Sequence, residues 1–325
     1  MDIPQLRYFV QIVESGSLSK ASKQLYVAQP ALSQQLAKLE AKVGKSLLTR
    51  SSKGVKPTDN GLALYYHAKY MLRQLEQTMS IARNDAGALQ GMVSVGLPAT
   101  TVAAVGLALV KSIRAKYPGI LLNVVEGMSG HIGQMIRFGQ LDIAVQFSSD
   151  IAPELIVEPL MDEELFVIIP KNSKLVAKEK ESITIAEAAV LPMILPTSGH
   201  GLRQRISTAF LNRGLTPNVV AEIDSLSLLM NCVSDGIGAT IKPMGAVMQD
   251  TVHGRKWRCL AVSDVRLRRA NFICMLPQER LSAASSIVAT ELRYAVQNLI
   301  SENKWRGFAN PTLSVPLETK EKVSS

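Results

Sequence analysis

Residues 17–44 read SLSKASKQLYVAQPALSQQLAKLEAKVG, and this stretch decides the fold of the N-terminal part of the chain. It reads as a short helix, a tight turn over Tyr26 to Gln29, and a longer helix running to Val43. Ser17 offers its hydroxyl to the free backbone N–H groups of the short helix. Ala21 is small where two helices must approach closely. Pro30 fits the first turn of the longer helix, where its lack of an N–H costs nothing, and Gly44 stops that helix through a left-handed cap. Leu32, Leu36, Leu39 and Val43 form an apolar stripe, with Gln29, Pro30, Ser33, Gln34 and Lys38 on the other face. That pattern fits a helix-turn-helix whose second helix lies in the major groove of DNA.

The outward face sorts by chemistry. Gln29 can pair bidentately with adenine, Ser33 can bond to several base edges, and Pro30 offers an apolar contact to a thymine methyl. Gln34 and Lys38 are placed to reach phosphates, which position a protein without reading sequence. Ser17 joins these DNA-binding candidates. An amphipathic helix of an ordinary helical domain shows the same stripe, so the flanking segments decide between the two readings.

Upstream, Leu6, Phe9, Val10 and Val13 recur at helical spacing and predict a helix over 4–14, closed by Gly16. Downstream, SLLTRSSKGVKPT (46–58) reads as two short strands, 47–50 and 55–57, joined by SSKG with Gly54 suited to positive φ. This is a wing carrying Arg50, Lys53 and Lys56, with Lys53 at its tip and within reach of a minor groove. The chain has a net charge of +9, and its first 60 residues carry nine basic side chains against four acidic ones. More than half of the excess therefore sits on the winged segment, which favours a polyanionic partner. A second basic cluster, 255–269, has no such pattern around it and reads as a solvated face.

Thr58 caps the next helix. Tyr65, Ala68, Leu72, Leu75, Met79, Ala82 and Ala86 alternate spacings of three and four, a heptad seam. A helix of roughly 28 residues would be about 42 Å long. The seam predicts a dimer helix bringing two winged heads onto one DNA site, or else packing against the chain's own domains.

Residues 1–88 resemble the LysR-type transcriptional regulators, through LRYFVQIVESGSLSKAS, AQPALSQQLAKLE, a glycine followed by LL-x-R, and G-V-x-PTDNG. The rest of the chain has the family's length and layout, and within the family it looks most like the nitrogen assimilation control group. The resemblance implies a homodimer or homotetramer whose paired heads bind double-stranded DNA at an inverted repeat near promoters, acting as activator or repressor, with RNA polymerase as a further partner. It carries base contact onto Gln29, Pro30 and Ser33, and backbone or wing contact onto Arg50 and Lys53. The family often has arginine after the recognition-helix serine. Here that residue is Gln34, which predicts a shallower salt dependence.

After Leu89 the pattern becomes α/β. Strands are expected at 91–97, 121–126, 142–147, 165–169, 193–195, 219–223, 239–241 and 272–276. Helices are expected at 99–116, 132–138, 202–212, 226–234 and 283–300. Such alternation predicts a parallel sheet with helices on its faces. The resulting architecture is α/β: a winged helix-turn-helix (1–58), a linker helix (59–89) and an effector domain (90–304) of two subdomains, 90–161 with 266–304 and 162–265, like periplasmic solute-binding proteins. Residues 305–325 read as a loose tail. Clefts form where strands end and helices begin, so free N–H groups point into them. Three loops should line the cleft, with Thr100 and Thr101, with Ser129, and with Thr197, Ser198 and His200, over a floor of Gln146 and Phe147. Hydroxyls and N–H groups together suit a small anionic or amino-acid-like effector. Each of these residues alone reads equally as an ordinary cap, and members of the nitrogen-control group can act without a small effector.

Other classes find little support. Cys232, Cys259 and Cys274 lie among apolar neighbours without C-x-x-C spacing and read as reduced thiols. The four histidines lack metal-ligand spacing, so neither metal nor cofactor is expected. GMSG at 127–130 is not a nucleophile elbow, GHG at 199–201 is not a dinucleotide loop, and no catalytic residue is expected. The N-terminus lacks the features of a signal peptide, and no apolar run reaches the ~18 residues of a membrane span. The expectation is a cytoplasmic, non-enzymatic protein. The competing reading is a solute-binding receptor with no role on DNA.

Overall fold

The computed structural model describes residues 1–51, 54–83, 90–248 and 257–312. The head begins with α1 (Ile3–Ser15), α2 (Leu18–Leu25) and α3 (Gln29–Val43). Asp2 accepts the Gln5 N–H, Gly16 ends α1 at φ 60°, and Ser17 accepts the Lys20 N–H at 3.4 Å. Tyr26 closes α2 in the left-handed region at φ 56°, and Gly44 closes α3 at φ 71°. Leu32, Leu36 and Leu39 are buried with Phe9, Ile12 and Ala21. Val43 departs from the expected stripe. It is 41% exposed and lies in a run of exposed residues, 41–46, at the end of α3 and just after it.

The wing consists of β1 (Leu48–Ser51) and β2 (Gly54–Pro57), paired antiparallel. Gly54 sits at φ 119°, and a Cβ there would come within 2.5 Å of the Gly16 carbonyl oxygen. The Val55 N–H donates to that same carbonyl at 2.9 Å. Only glycine lets the wing approach the α1 cap this closely. Glu40 Oε1 accepts the N–H groups of Leu47 (2.8 Å) and Leu48 (3.3 Å), tying the wing to α3.

The linker helix α4 (Asp59–Arg83) starts from Thr58, which accepts the Gly61 N–H at 3.0 Å. Its seam is divided. Tyr65, Ala68 and Leu72 pack on Leu6 and Val10 of α1, so the head itself covers the first half. Farther along, Met79 is exposed; Ala86 lies outside the described residues. On another face of α4, Tyr66 stacks on Phe138 with centroids 5.3 Å apart.

The effector half comprises β3 (Gly91–Leu97), α5 (Ala99–Thr101) running through a π turn (Val102–Gly106) into α6 (Leu107–Lys116), β4 (Ile120–Glu126), α7 (Ser129–Arg137) and β5 (Ile143–Gln146). There follow β6 (Ile156–Pro170), β7 (Ser182–Ile183), α8 (Ile185–Ala189), β8 (Met193–Leu195), α9 (Gly201–Leu211), β9 (Val219–Glu222), α10 (Leu226–Ser234), β10 (Thr240–Pro243) and α11 (Gly245–Met248). The chain ends with β11 (Trp257–Val262), β12 (Arg268–Met275), α12 (Ala283–Glu302) and β13 (Phe308–Ala309).

The sheet is mixed rather than parallel. β3 pairs in parallel with β4 and β5, whereas β12 runs antiparallel to β5 and β6. The 15-residue β6 explains this. Its first part pairs with β12 and its last part with β10 and β11, so one strand serves both subdomains. The expected boundary at 161/162 falls inside it. One apolar core gathers around β3, α6 and α12, and another around β8, α8 and α9.

The segment expected as a loose tail is ordered up to Thr312. β13 pairs with Glu163 and Asp162 of β6, and the Thr312 hydroxyl bonds to Asp162. Phe308 packs on the core of the first subdomain and on the apolar cluster around α10 in the second. Aromatic residues in this segment supply the apolar area that holds it down. Residues 313–325 lie outside the described residues.

Candidate nucleic-acid interface and effector cleft

On the head, Gln29, Pro30, Gln34 and Lys38 are all exposed, as their outward positions on α3 predict. Ser33 is half-buried because Arg50 of the wing reaches across and donates from Nη2 to its Oγ at 3.3 Å. This contact places a guanidinium and a base-reading candidate on one surface. Ser17 is half-buried as the α2 cap. Lys53 lies outside the described residues. Tyr26, read as part of the turn, stands 96% exposed just before α3.

The second site is a cleft of about 280 Å³ between the subdomains. Thr100, Ser129, Phe147 and His200 line it. The α7 helix starts three residues earlier than expected, which puts Ser129 at its N-terminus. Thr197 stands one step behind the lining. Its N–H and hydroxyl donate to Asp224, which does line the cleft, at 3.0 and 2.9 Å. These bonds hold the Asp224 carboxyl below the usual range. Three further expected residues lie outside the lining. Thr101 is wholly buried, Gln146 is buried beneath Gly133 with its Nε2 unbonded, and Ser198 points to solvent.

Residues with no place in the sequence reading dominate the floor. Arg269 was counted in a solvated basic face, yet it is 3% exposed. It donates to Glu163 Oε2 from Nε (3.1 Å) and Nη2 (2.6 Å), and to Thr100 Oγ1 (3.1 Å). Its guanidinium lies 3.5 Å from the Phe147 ring centroid. Asn271 adds a third bond to the same Glu163 oxygen at 3.0 Å. Lys242, also on the lining, is 5% exposed. Burial, and then Arg269, push its ammonium down to about 8. Burial likewise lowers His200, whose Nδ1 accepts the Leu202 N–H at 3.2 Å. A Cβ on Gly245 would come within 2.3 Å of the Thr100 carbonyl, so α11 rests directly on the start of α5.

Residues 3–62 match the bacterial regulatory helix-turn-helix domain of the lysR family, and residues 86–297 match the LysR substrate binding domain. The chain belongs to the LysR family of bacterial transcriptional regulators. It is 34% identical over 247 residues to the nitrogen assimilation regulatory proteins nac of Klebsiella aerogenes and Escherichia coli, covering 76% of this chain and 79% of each. Full-length OxyR of Pseudomonas aeruginosa shares the fold at a TM-score of 0.69 and 23% identity, covering 90% of this chain and 95% of that one.

This LysR regulator carries buried cations that its sequence only hinted at. Lys242 interrupts the apolar run ATIKPMGAV, and Arg269 and Asn271 alternate along a strand so that both face one side. Such alternation in a half-buried strand is a signal for a polar interior face. Burial pushes Cys259 up to about 11 and Cys274 up to about 12, far from the reactive thiolate range. Among the described residues no helix is long and apolar enough to cross a membrane, and no cluster of three His, Cys, Asp or Glu could hold a metal.

Proposed function

We propose that this regulator binds an interrupted inverted repeat in promoter DNA as a dimer or tetramer, and that a small effector in the cleft modulates it. The observation that carries the DNA reading is the Arg50–Ser33 contact, which joins wing and recognition helix into one basic, polar surface. Gln29, Pro30 and Ser33 read bases. Arg50, Lys38 and Gln34 meet phosphates, a role the sequence extends to Lys53, and Ser17 orders the helix behind them. The exposed end of the α4 seam, with Met79, serves subunit pairing.

The α7 helix supports coupling of the two sites. Ser129 at its N-terminus lines the cleft, and Phe138 just past its C-terminus stacks on Tyr66 of the linker helix. An effector that shifts α7 would shift the linker with it, provided it binds the two positions with different affinity. A gel shift with full-length protein on the DNA upstream of its own gene tests the core reading. Specific, salt-sensitive retardation is expected; equal affinity for unrelated DNA overturns it.

A further inference from the structure

The charged groups of the cleft are unequally partnered. Arg269 is spent on Glu163 and Thr100 and covered by Phe147. His200 is engaged with the Leu202 N–H, and Asp224 with Thr197. Lys242 is different. It sits in β10, whose four residues are all buried, and among the described residues its ammonium has neither a hydrogen bond nor an ion pair. A buried ammonium with no hydrogen bond or ion pair is costly to hold, and an apolar residue would fill this strand position without that cost.

Three elements present charge to Lys242. Arg269 of β12 repels it, Asp224 after β9 attracts it, and His200 before α9 adds positive charge when protonated. Glu163 is taken up by Arg269, and Glu126 stands exposed in the lining. The N-termini of α7, α9 and α10 open onto the same space through Ser129, His200 and Ser225. Helix N-termini favour negative charge, the same sign that Lys242 demands.

We infer that Lys242 anchors the carboxylate of a small monocarboxylic or amino acid in this cleft, an assignment that rests on the effector reading above. The cleft, about 280 Å³, has room for a small acid. Pro98, Met128, Phe147 and Leu226 offer apolar wall for its carbon skeleton. The exposed carboxylates of Glu126 and Asp224 disfavour a second negative group and accept an ammonium, so dicarboxylates bind more weakly.

Thermal unfolding of the full-length protein tests this, with lactate, benzoate, L-leucine, L-glutamine and succinate as probes at matched ionic strength and inorganic phosphate as control. At least one of the four monocarboxylate probes raises the wild-type midpoint at pH 7, by more than succinate or phosphate does. Calorimetry then shows binding at least about tenfold weaker in Lys242→Met, the loss of one charge-assisted bond, with partial recovery in Lys242→Arg. Wild-type affinity falls as pH rises past about 8, where the ammonium gives up its proton. Lack of a shift with every acid, an undiminished shift in Lys242→Met, or phosphate matching the best acid overturns the assignment. Operator binding by the ligand-free wild type, measured alongside, reports separately on the regulator reading.

Discussion

Arg269 Nη2 lies 2.6 Å from Glu163 Oε2, and the two side chains are 4% and 0% exposed. The pair joins β12 to β6 at the point where both strands pass between the subdomains. Through Thr100 it also reaches the start of α5. Buried ion pairs of this kind need full hydrogen bonding to offset desolvation, and removing one partner leaves a buried charge exposed to that cost. R269M is therefore expected to destabilise the effector half by about 3–5 kcal/mol. R269M/E163Q should recover much of the loss, because the orphaned carboxylate is gone. Urea unfolding followed by tryptophan fluorescence reports both, since both tryptophans lie in this half.

Lys242 makes stability depend on pH. Its folded-state pKa, about 8, is depressed below the ordinary lysine range. Between those two values the unfolded chain binds more protons than the folded one, so stability rises with pH across that window. Below about pH 8 the full penalty persists. Lys242→Met should thus stabilise the protein at pH 7, by up to about 3 kcal/mol, and should lack the rising limb. Unfolding curves at pH 7, 8, 9 and 10 compare the two, and a variant less stable than wild type at pH 7 would speak against a buried, unpaired ammonium.

The C-terminal strap should matter for stability although it lies past the last helix. Gly307 sits at φ 87° and a Cβ there would meet the Phe166 ring at 2.5 Å. Gly307→Ala combines left-handed strain with a clash and is expected to cost about 2 kcal/mol. Phe308→Ala removes a half-buried ring and should cost somewhat less than the ~3–5 kcal/mol of a fully buried one. Thermal midpoints check both. Unchanged values would mean that the strap does not hold the subdomains together.

The head was legible because its information is local. Capping serines, stop glycines and the Leu32–Leu36–Leu39 stripe act within a few residues of one another, and the observed helix ends lie within a residue of those expected. The expected strands and helices of the effector half are present with looser ends, while β7, α8, α11, β11 and β13 had no expected counterpart. The first part of β6 was not legible, because IVEPLMDEE mixes acidic residues and a proline in a strand whose register against β12 shifts between Asn271 and Phe272. The cleft floor was hidden for a different reason. Glu163 and Arg269 are 106 positions apart, and only the antiparallel crossover brings them together. Lys242 shows in the sequence only as a lysine inside the apolar run ATIKPMGAV, and burial of a cation is decided by tertiary packing. Ser198, Thr101 and Gln146 fell on the right loops and strand, but backbone geometry turned them away from the cleft.

On the proposed function, α3 and the wing read DNA, with bases and phosphates divided between named residues. Fluorescence anisotropy of full-length protein on its own promoter DNA and on a scrambled duplex, across a salt series, tests it most directly. Gln29→Ala should lose preference for the promoter with little change in salt slope. Arg50→Ala should weaken binding to both duplexes and lower the slope by about 1. A Gln29→Ala protein that still prefers its promoter as strongly as wild type would show that Gln29 does not read bases.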